Sequence, residues 1–171
     1  MPCRVVTPED ASALARIAVA AWKAAYRGLM PSEFLDALSA ADVQTRWERV
    51  FAEGSSSVVV FERDQQVVAS CHFGPSRDPD AKPGTAEVFS LNVHPDHWRH
   101  GLGSQLTTFA LNRLRAEGFA CVTLWVLRDN ARAQRFYEAL GFQRDSSERS
   151  ASDLIGSPLD ELRYRMAFEP A

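Results

Sequence analysis

Apolar residues in the first third of the chain recur every three or four positions, which is the spacing of an amphipathic helix. The pattern predicts a helix over about residues 8–26, with Thr7 as its cap and Pro8 at its first position. Two shorter helices are predicted over 32–38 and 41–52. This part of the chain is therefore expected to be mainly helical.

The centre of the chain changes to short apolar runs and two-residue alternation, which are typical of β-strands. Together with a short segment near the start of the chain, the predicted strands cover residues 4–6, 58–61, 67–73 and 85–93. The second and third form a hairpin, and prolines and glycines mark 74–84 as a loop. By the two-residue period, Glu87 shares one face of its strand with Leu91 and Val93.

The last third of the chain alternates helices with strands. Its predicted segments are a helix from about Gly101 to Gly118, a strand over 120–127, a helix from Asn130 to Gly141, a short strand from Phe142, a polar stretch over 145–160 and a last strand at about 161–168. This order predicts a mixed α/β (α+β) fold, in which helices pack against a central sheet that is antiparallel in its first half.

Composition and charge narrow the class of protein. The 171 residues suit a single domain, and the net charge of −3 argues against a general nucleic-acid or membrane-surface binder. Three cysteines without CxxC spacing make a disulfide framework unexpected and favour a reducing cytosol. Because no apolar leader and no long apolar run is present, we expect a cytoplasmic protein without a signal peptide or membrane span.

The string that follows residues 85–93 combines a chain reversal with a glycine-rich helix start. The strand stops at Pro95, and a helix begins on Gly101 and Gly103. Backbone N–H groups at such a helix N-terminus point outward where the helix dipole is positive, which suits a pyrophosphate, and Arg99 and His100 add side-chain charge. The alternative is that the glycines only permit a tight turn.

Two common phosphate-binding loops do not match this string, but a third signature does. A Walker sequence is absent, and Leu106 occupies the third glycine position of the dinucleotide fingerprint. The string resembles the signature Gln/Arg-x-x-Gly-x-Gly/Ala of the GNAT superfamily of acyl-CoA N-acyltransferases, with Trp98 in the Gln/Arg place. A second block, 124–142, resembles the second cofactor segment of that family through Asn130 and Tyr137.

The resemblance extends over residues 4–168 and implies a single N-acetyltransferase domain with a GNAT-like mixed sheet of about six or seven strands. It also implies acetyl-CoA as co-substrate, held by a strand that splays from its parallel neighbour and by the amides of the glycine loop. The cofactor-binding residues that it implies are Leu91, Val93, Trp98, Arg99, His100, Gly101, Leu102, Gly103, Ser104 and Asn130. Asn130 has the alternative of a plain helix cap.

Two residues are candidates for proton transfer. By the resemblance, Tyr137 protonates the leaving thiolate; the alternative is a core side chain, since Tyr137 has the helical spacing of its apolar neighbours. The amine arrives mostly as ammonium, so a base must remove a proton, directly or through water. Glu87 is the candidate, because partial desolvation would raise the pKa of its carboxyl group; a solvated or salt-bridged glutamate is the alternative.

The acceptor side is less specific. Trp22, Tyr26 and Phe34 are the candidate acceptor-binding residues, together with the loop 75–84, although Trp22 also continues the apolar stripe of its helix. Three closely spaced histidines, at 94, 97 and 100, span a proline-containing turn rather than a helix face, so no metal site is expected.

The sequence therefore predicts an acetyl-CoA-dependent N-acetyltransferase that acts directly on a primary amine of a small molecule or peptide. The alternative function is a non-catalytic acyl-CoA-binding sensor or partner domain. Nucleic acid and membrane are not expected as partners, and a homodimer is left open because dimers are common in the family.

Overall fold

The computed structural model describes residues 2–150 and 159–169. Its helices are α1 (Ala11–Ala25), α2 (Ser32–Asp36), α3 (Ala40–Glu53), α4 (Leu102–Ala116) and α5 (Ala131–Ala139). Its strands are β1 (Cys3–Val5), β2 (Ser57–Arg63), β3 (Gln66–Pro75), β4 (Thr85–Val93), β5 (Cys121–Leu127), β6 (Gln143–Ser150) and β7 (Asp160–Ala167).

The strands of the described residues form one seven-stranded sheet in the order β1-β2-β3-β4-β5-β7-β6. Only the central pair, β4 and β5, is parallel; all other neighbouring pairs are antiparallel. The connection between the two parallel strands runs through α4, as a parallel crossover requires. The predicted fold, a mixed α+β sheet that is antiparallel in its first half, is confirmed.

Helices cover both faces of this sheet. On one face, called the α4 face here, Leu106 and Leu114 of α4 pack against strand residues such as Val59 and Val122. On the other, called the α1 face, residues of α1 and α3 pack on alternate positions of the same strands, with Leu14, Ile17, Trp47, Val58 and Val60 in one buried cluster. Strands buried on both sides explain the nearly continuous apolar runs in the sequence.

A β-bulge in β4 overturns one expectation from the sequence. Val88 pairs with Phe73 and Ser90 with His72, so Phe89 is an extra residue with no partner in β3. The bulge reverses the alternation, and Leu91 therefore packs on the same α4-face cluster as Val88. Glu87 lies on the opposite α1 face, so the prediction that it shares a face with Leu91 and Val93 is wrong.

The prediction that a short strand from Phe142 gives way to a polar stretch at residue 145 is also partly wrong. Residues up to Ser150 continue β6, while 151–158 lie outside the described residues. Because β6 is the edge strand of the sheet, most of its side chains face solvent and carry charge, so the apolar signal of a strand is missing. Cross-strand ion pairs stabilise the pairing of β6 with β7 instead, such as the one between Arg149 Nε and Glu161 Oε2 at 2.6 Å.

Candidate active site

The parallel strands β4 and β5 separate part-way along their length. Within the described residues their pairing ends at Val88 and Leu124, and the chain beyond these residues borders a cavity of about 820 Å³. A volume of this size is typical of ligand sites. The cavity is lined from the α4 face by residues such as Gly103 and Tyr137, and from the α1 face by residues such as Tyr26. It therefore passes through the gap in the sheet.

The glycine loop forms one end of the cavity. Two residues, Arg99 with φ 64° and Gly101 with φ 73°, adopt left-handed backbone, and α4 begins directly afterwards at Leu102. Right- and left-handed residues in succession turn neighbouring N–H groups into one concavity, and the helix dipole adds positive potential there. For a non-glycine residue such as Arg99, this conformation is strained. The loop thus has the backbone geometry of an anion site.

The second glycine has a packing role. A Cβ atom on Gly103 would lie 3.4 Å from the Phe136 ring and 3.7 Å from the Leu91 side chain. The missing side chain lets the start of α4 approach α5 and β4 closely. The two glycines therefore serve different purposes, Gly101 the turn and Gly103 the close packing around the cavity.

Trp98 holds the loop to the end of β4. Its indole N–H donates a hydrogen bond to the Val93 carbonyl oxygen at 2.7 Å. The guanidinium of Arg132 lies over the Trp98 ring, with its central carbon 4.1 Å from the ring centroid. Both Trp98 and Arg132 line the cavity, so the tryptophan places a positive charge beside the glycine loop.

The predicted cofactor-binding residues line the cavity, with the exception of His100. The cavity wall includes Leu91, Val93, Trp98, Arg99, Gly101, Leu102, Gly103, Ser104 and Asn130. His100 is exposed and lies outside this wall, whereas His97, which the sequence analysis did not select, lies in it. Asn130 caps α5, since its Oδ1 accepts a hydrogen bond from the Ala133 amide at 3.1 Å, and it also lines the cavity.

Tyr137 likewise belongs to both the core and the cavity. Its ring packs edge-on against Phe136 and Phe142, with centroid distances of 5.0 and 5.7 Å. Burial raises the pKa of its hydroxyl group, and the nearby Cys71 thiol and Tyr26 hydroxyl raise it further. The hydroxyl group therefore keeps its proton at neutral pH, as a proton donor must before it acts.

Glu87 is buried, with 6% of its surface exposed, and lies near the α1 face of the gap. Its Oε2 accepts hydrogen bonds from the Arg77 amide at 3.1 Å and the Ser76 hydroxyl at 3.4 Å. Burial raises the pKa of its carboxyl group, in the direction that the sequence analysis expected, although the Arg77 hydrogen bond opposes the shift. Its carboxylate binds the loop after β3, and Glu87 is not part of the cavity wall.

A sequence model described as the Acetyltransferase (GNAT) family matches residues 18–142. The chain belongs to this family. The match includes the second part of α1, the parallel strand pair, the glycine loop and α5, all of which contribute to the cavity wall. The resemblance seen in the two sequence blocks is thus confirmed.

Individual relatives of this GNAT chain agree with that assignment. A Mycobacterium tuberculosis protein named "Probable N-acetyltransferase Rv2775" is 26% identical over 166 residues, which cover 95% of this chain and 91% of that protein. A mycothiol acetyltransferase of Kocuria rhizophila is 42% identical over 62 residues, 36% of this chain and 20% of that protein. The chain thus spans about a fifth of the length of that relative.

Solved structures share the fold at low sequence identity. The PaiA N-acetyltransferase of Thermoplasma acidophilum, solved in complex with coenzyme A, has a TM-score of 0.74 and 18% identity, covering 98% of this chain and 100% of that one. At this identity the likeness shows the fold alone. The likeness agrees with the family match, which supports an acyltransferase enzyme.

Two of the three predicted acceptor residues of this GNAT chain line the cavity. Trp22 and Tyr26 line the cavity, but Phe34 packs behind Trp22, with ring centroids 6.4 Å apart, and is not part of the wall. The wall also contains residues that the sequence analysis missed: Trp125, Asp129, Arg149 and Glu161. Two of them belong to β6 and β7, far along the chain from α1, so no local sequence signal connects them.

Other structural features bear on the remaining expectations. All three cysteines are free thiols. In residues 2–150 and 159–169, no three His, Cys, Asp or Glu side chains are grouped so that they could hold a metal ion. None of the described helices has the length and apolar character needed to cross a membrane.

Proposed function

We propose that this chain transfers an acetyl group from acetyl-CoA directly to a primary amine, with residues 4–168 acting as one catalytic domain in the cytoplasm. The observation that carries the proposal is the cavity between β4 and β5, which reaches both faces of the sheet. Two substrates entering from opposite faces would meet in the gap, and the reacting atoms would be shielded from bulk water there.

Acetyl-CoA enters this proposal from the α4 face. The amides from Trp98 to Ser104 hold the pyrophosphate, and the unpaired edge of β4 around Leu91 and Val93 binds the pantetheine arm. The family signature places Gln or Arg where this chain has Trp98. Arg132, stacked on Trp98 at the same end of the cavity, supplies the side-chain charge for the cofactor phosphates.

The reaction forms one C–N bond and breaks one C–S bond. The neutral amine attacks the thioester carbonyl carbon, and the electron pair of the C–S bond leaves with the sulfur. Tyr137, whose hydroxyl group is protonated at neutral pH, donates a proton to the thiolate, and the tyrosinate that remains takes up the second proton, which the nitrogen loses as the amide forms. Glu87, acting through an ordered water, takes the proton that the ammonium form of the acceptor must lose.

A thiol-release assay tests the proposal. Purified protein is incubated with acetyl-CoA and a panel of simple amines, amino acids, polyamines and peptides, and free coenzyme A is measured with a thiol reagent. Amine-dependent release, together with an acetylated product of the expected mass, would support the function. Acetyl-CoA binding without amine-dependent release across the whole panel would contradict it.

A further inference from the structure

Glu161 is a carboxylate in the cavity wall that the mechanism above does not use. Asp129 and Glu161 are the acidic residues that line the cavity in the described part of the chain. Glu161 lies on β7 opposite Leu127, and its side chain is 15% exposed. Tyr137 and the glycine loop lie on the α4 face, whereas Glu161 lies on the α1 face, where the acceptor would enter.

The position of this carboxylate is fixed by its neighbours. Arg149 Nε donates to Glu161 Oε2 at 2.6 Å, and the same guanidinium lies over the Trp125 ring with its central carbon 4.3 Å from the centroid. Trp125 in turn donates its indole N–H to Asp78 Oδ1 at 2.9 Å. A carboxylate held in this way is preorganised for a ligand.

Glu161 belongs to a network of ion pairs on the α1 face. Arg149 and Arg163 are its cations. Its ion-paired carboxylates are those of Asp78, Asp80, Asp145 and Glu161. Arg149 pairs with Asp78 as well as with Glu161, so its charge is shared between two carboxylates and Glu161 keeps a charge that favours a cationic ligand.

Aromatic rings complete the surroundings of this end. Trp22 and Tyr26 line the cavity and pack edge-to-face, with centroids 5.2 Å apart. Burial raises the pKa of the Tyr26 hydroxyl group, and the charge of Glu161, which lines the same cavity, raises it further. Aromatic faces next to a carboxylate form a favourable environment for an ammonium group that carries an apolar carbon chain.

We infer that Glu161, Trp22 and Tyr26 form the subsite that binds the acceptor's ammonium group before transfer. The acceptor is then a primary amine that binds in its protonated form, with apolar carbon next to the nitrogen. This inference rests on the proposed function, because the subsite is defined as the acceptor's entry to the gap. Arg149 acts as a positioning residue that orients Glu161.

Binding without turnover tests the subsite first. The protein is saturated with coenzyme A, which carries no acetyl group, and titrated calorimetrically with n-butylamine and with phenethylamine at pH 7. We expect both amines to bind, the neutral analogue 2-phenylethanol to bind at least tenfold more weakly, and Glu161→Gln to weaken amine binding about tenfold. Absence of amine binding to the wild type, or equal binding of amine and alcohol, would overturn the inference.

Matched variants separate a lost charge from a damaged fold. Glu148→Gln changes a carboxylate on β6 that pairs with Arg128 and Arg144 and does not line the cavity, so amine binding should be unchanged. Trp22→Leu removes an aromatic wall and should weaken amine binding several-fold while leaving Glu161 in place. Unchanged amine affinity in both Glu161→Gln and Trp22→Leu would contradict the subsite even if both variants fold.

Turnover then distinguishes the two proposals. With an amine that the wild type acetylates, Glu161→Gln should raise the KM for the amine about tenfold and leave the KM for acetyl-CoA unchanged. Amine binding that depends on Glu161 without any thiol release would leave the subsite standing and remove the proposed function. Normal turnover with an unchanged amine KM in Glu161→Gln would support the proposed function and contradict the subsite.

Discussion

The two ends of the cavity are built in different ways. At the α4-face end, the glycine loop and the start of α4 come from one short segment, and most of the proposed contacts are backbone groups. At the α1-face end, side chains from α1, β6 and β7 meet, and their charges and rings define the wall. The difference teaches that the cofactor end is encoded locally, whereas the acceptor end exists only after the sheet has assembled.

The largest effect is expected from Tyr137, the proposed proton donor to the thiolate in the gap where the two ends of the cavity meet. Tyr137→Phe should lower the turnover number a hundredfold or more, because general-acid catalysis contributes about that much, while acetyl-CoA affinity stays nearly unchanged. Steady-state thiol release and calorimetric titration measure the two quantities. Tyr164→Phe is the matched control: Tyr164 is buried and donates to Glu138 Oε1 at 3.0 Å, away from the cavity wall.

An unchanged turnover number in Tyr137→Phe would remove Tyr137 from the acid role and leave its core packing as the explanation. A similar loss in Tyr164→Phe would indicate a general effect of altered packing.

Glu87 tests whether a residue outside the cavity wall takes part in the chemistry. A base acts only when deprotonated, so kcat/KM should fall as the pH drops through the pKa of Glu87, which burial raises above its ordinary value. Glu87→Gln should lose this acidic limb and about a hundredfold in kcat/KM. Glu117→Gln, on an exposed turn after α4, is the control. If Glu87→Gln keeps the acidic limb, Glu87 is not the base.

His72 tests the stability of the α1 face. It is buried between Trp47 and Phe89, and burial, with a contribution from the charge of Arg77, lowers its pKa from 6.5 to about 4. Below pH 6.5 the unfolded chain therefore binds a proton that the folded chain does not, and stability falls as pH drops from 6.5 toward 4. The His72 contribution lost by pH 5 is about 2 kcal/mol.

Urea unfolding at pH 7.5 and pH 5 measures this loss in the wild type, in His72→Gln and in the exposed control His100→Gln. The pH-dependent loss should shrink by about 2 kcal/mol only in His72→Gln. Equal pH dependence in all three proteins would show that His72 is not held neutral by the fold.

Arg132 tests whether the cofactor end depends on a side chain as well as on its backbone. Arg132→Ala removes the charge stacked on Trp98 and should raise the KM for acetyl-CoA about tenfold, since one charge-assisted contact to phosphate is lost. Arg135→Ala is the control, because Arg135 is exposed on the same helix and outside the cavity wall. Equal effects of the two substitutions would point to general electrostatic attraction instead.

The smallest effect is expected on stability, when each of the two glycines is replaced by alanine. Gly101→Ala forces an alanine into φ 73° and should destabilise the fold by about 1 kcal/mol. In Gly103→Ala, the new Cβ meets Phe136 at 3.4 Å, which a small shift of the ring relieves, so stability should change less. Chemical denaturation measures both. A larger loss of stability in Gly103→Ala would mean that close packing, and not the turn, is the tighter constraint.

The local character of the cofactor end explains why it could be predicted from the sequence. Pro95 and Gly101 impose a turn before the helix through their own backbone preferences, and Asn130 caps the next helix in the same local way. The buried strands and a sheet that is antiparallel in its first half followed from apolar runs, their spacing and the order of the elements.

The parts that could not be predicted depend on contacts distant in the chain. The bulge at Phe89 is visible only in the pairing of β4 with β3, and it moved Glu87 to the other face. Likewise, β6 looks like a polar loop in sequence because an edge strand needs no apolar face, so Arg149 and Glu161 were not recognised as neighbours. Both features depend on pairing between strands, which short stretches of sequence do not reveal.

The central claim is that the gap between β4 and β5 holds a coenzyme A thioester. Calorimetric titration of the purified protein with acetyl-CoA tests it most directly. The account predicts saturable binding of one acetyl-CoA per chain, with a dissociation constant between about 1 μM and 1 mM, the usual range for enzyme substrates. Absence of saturable binding up to millimolar acetyl-CoA, in protein shown to be folded, would contradict the account.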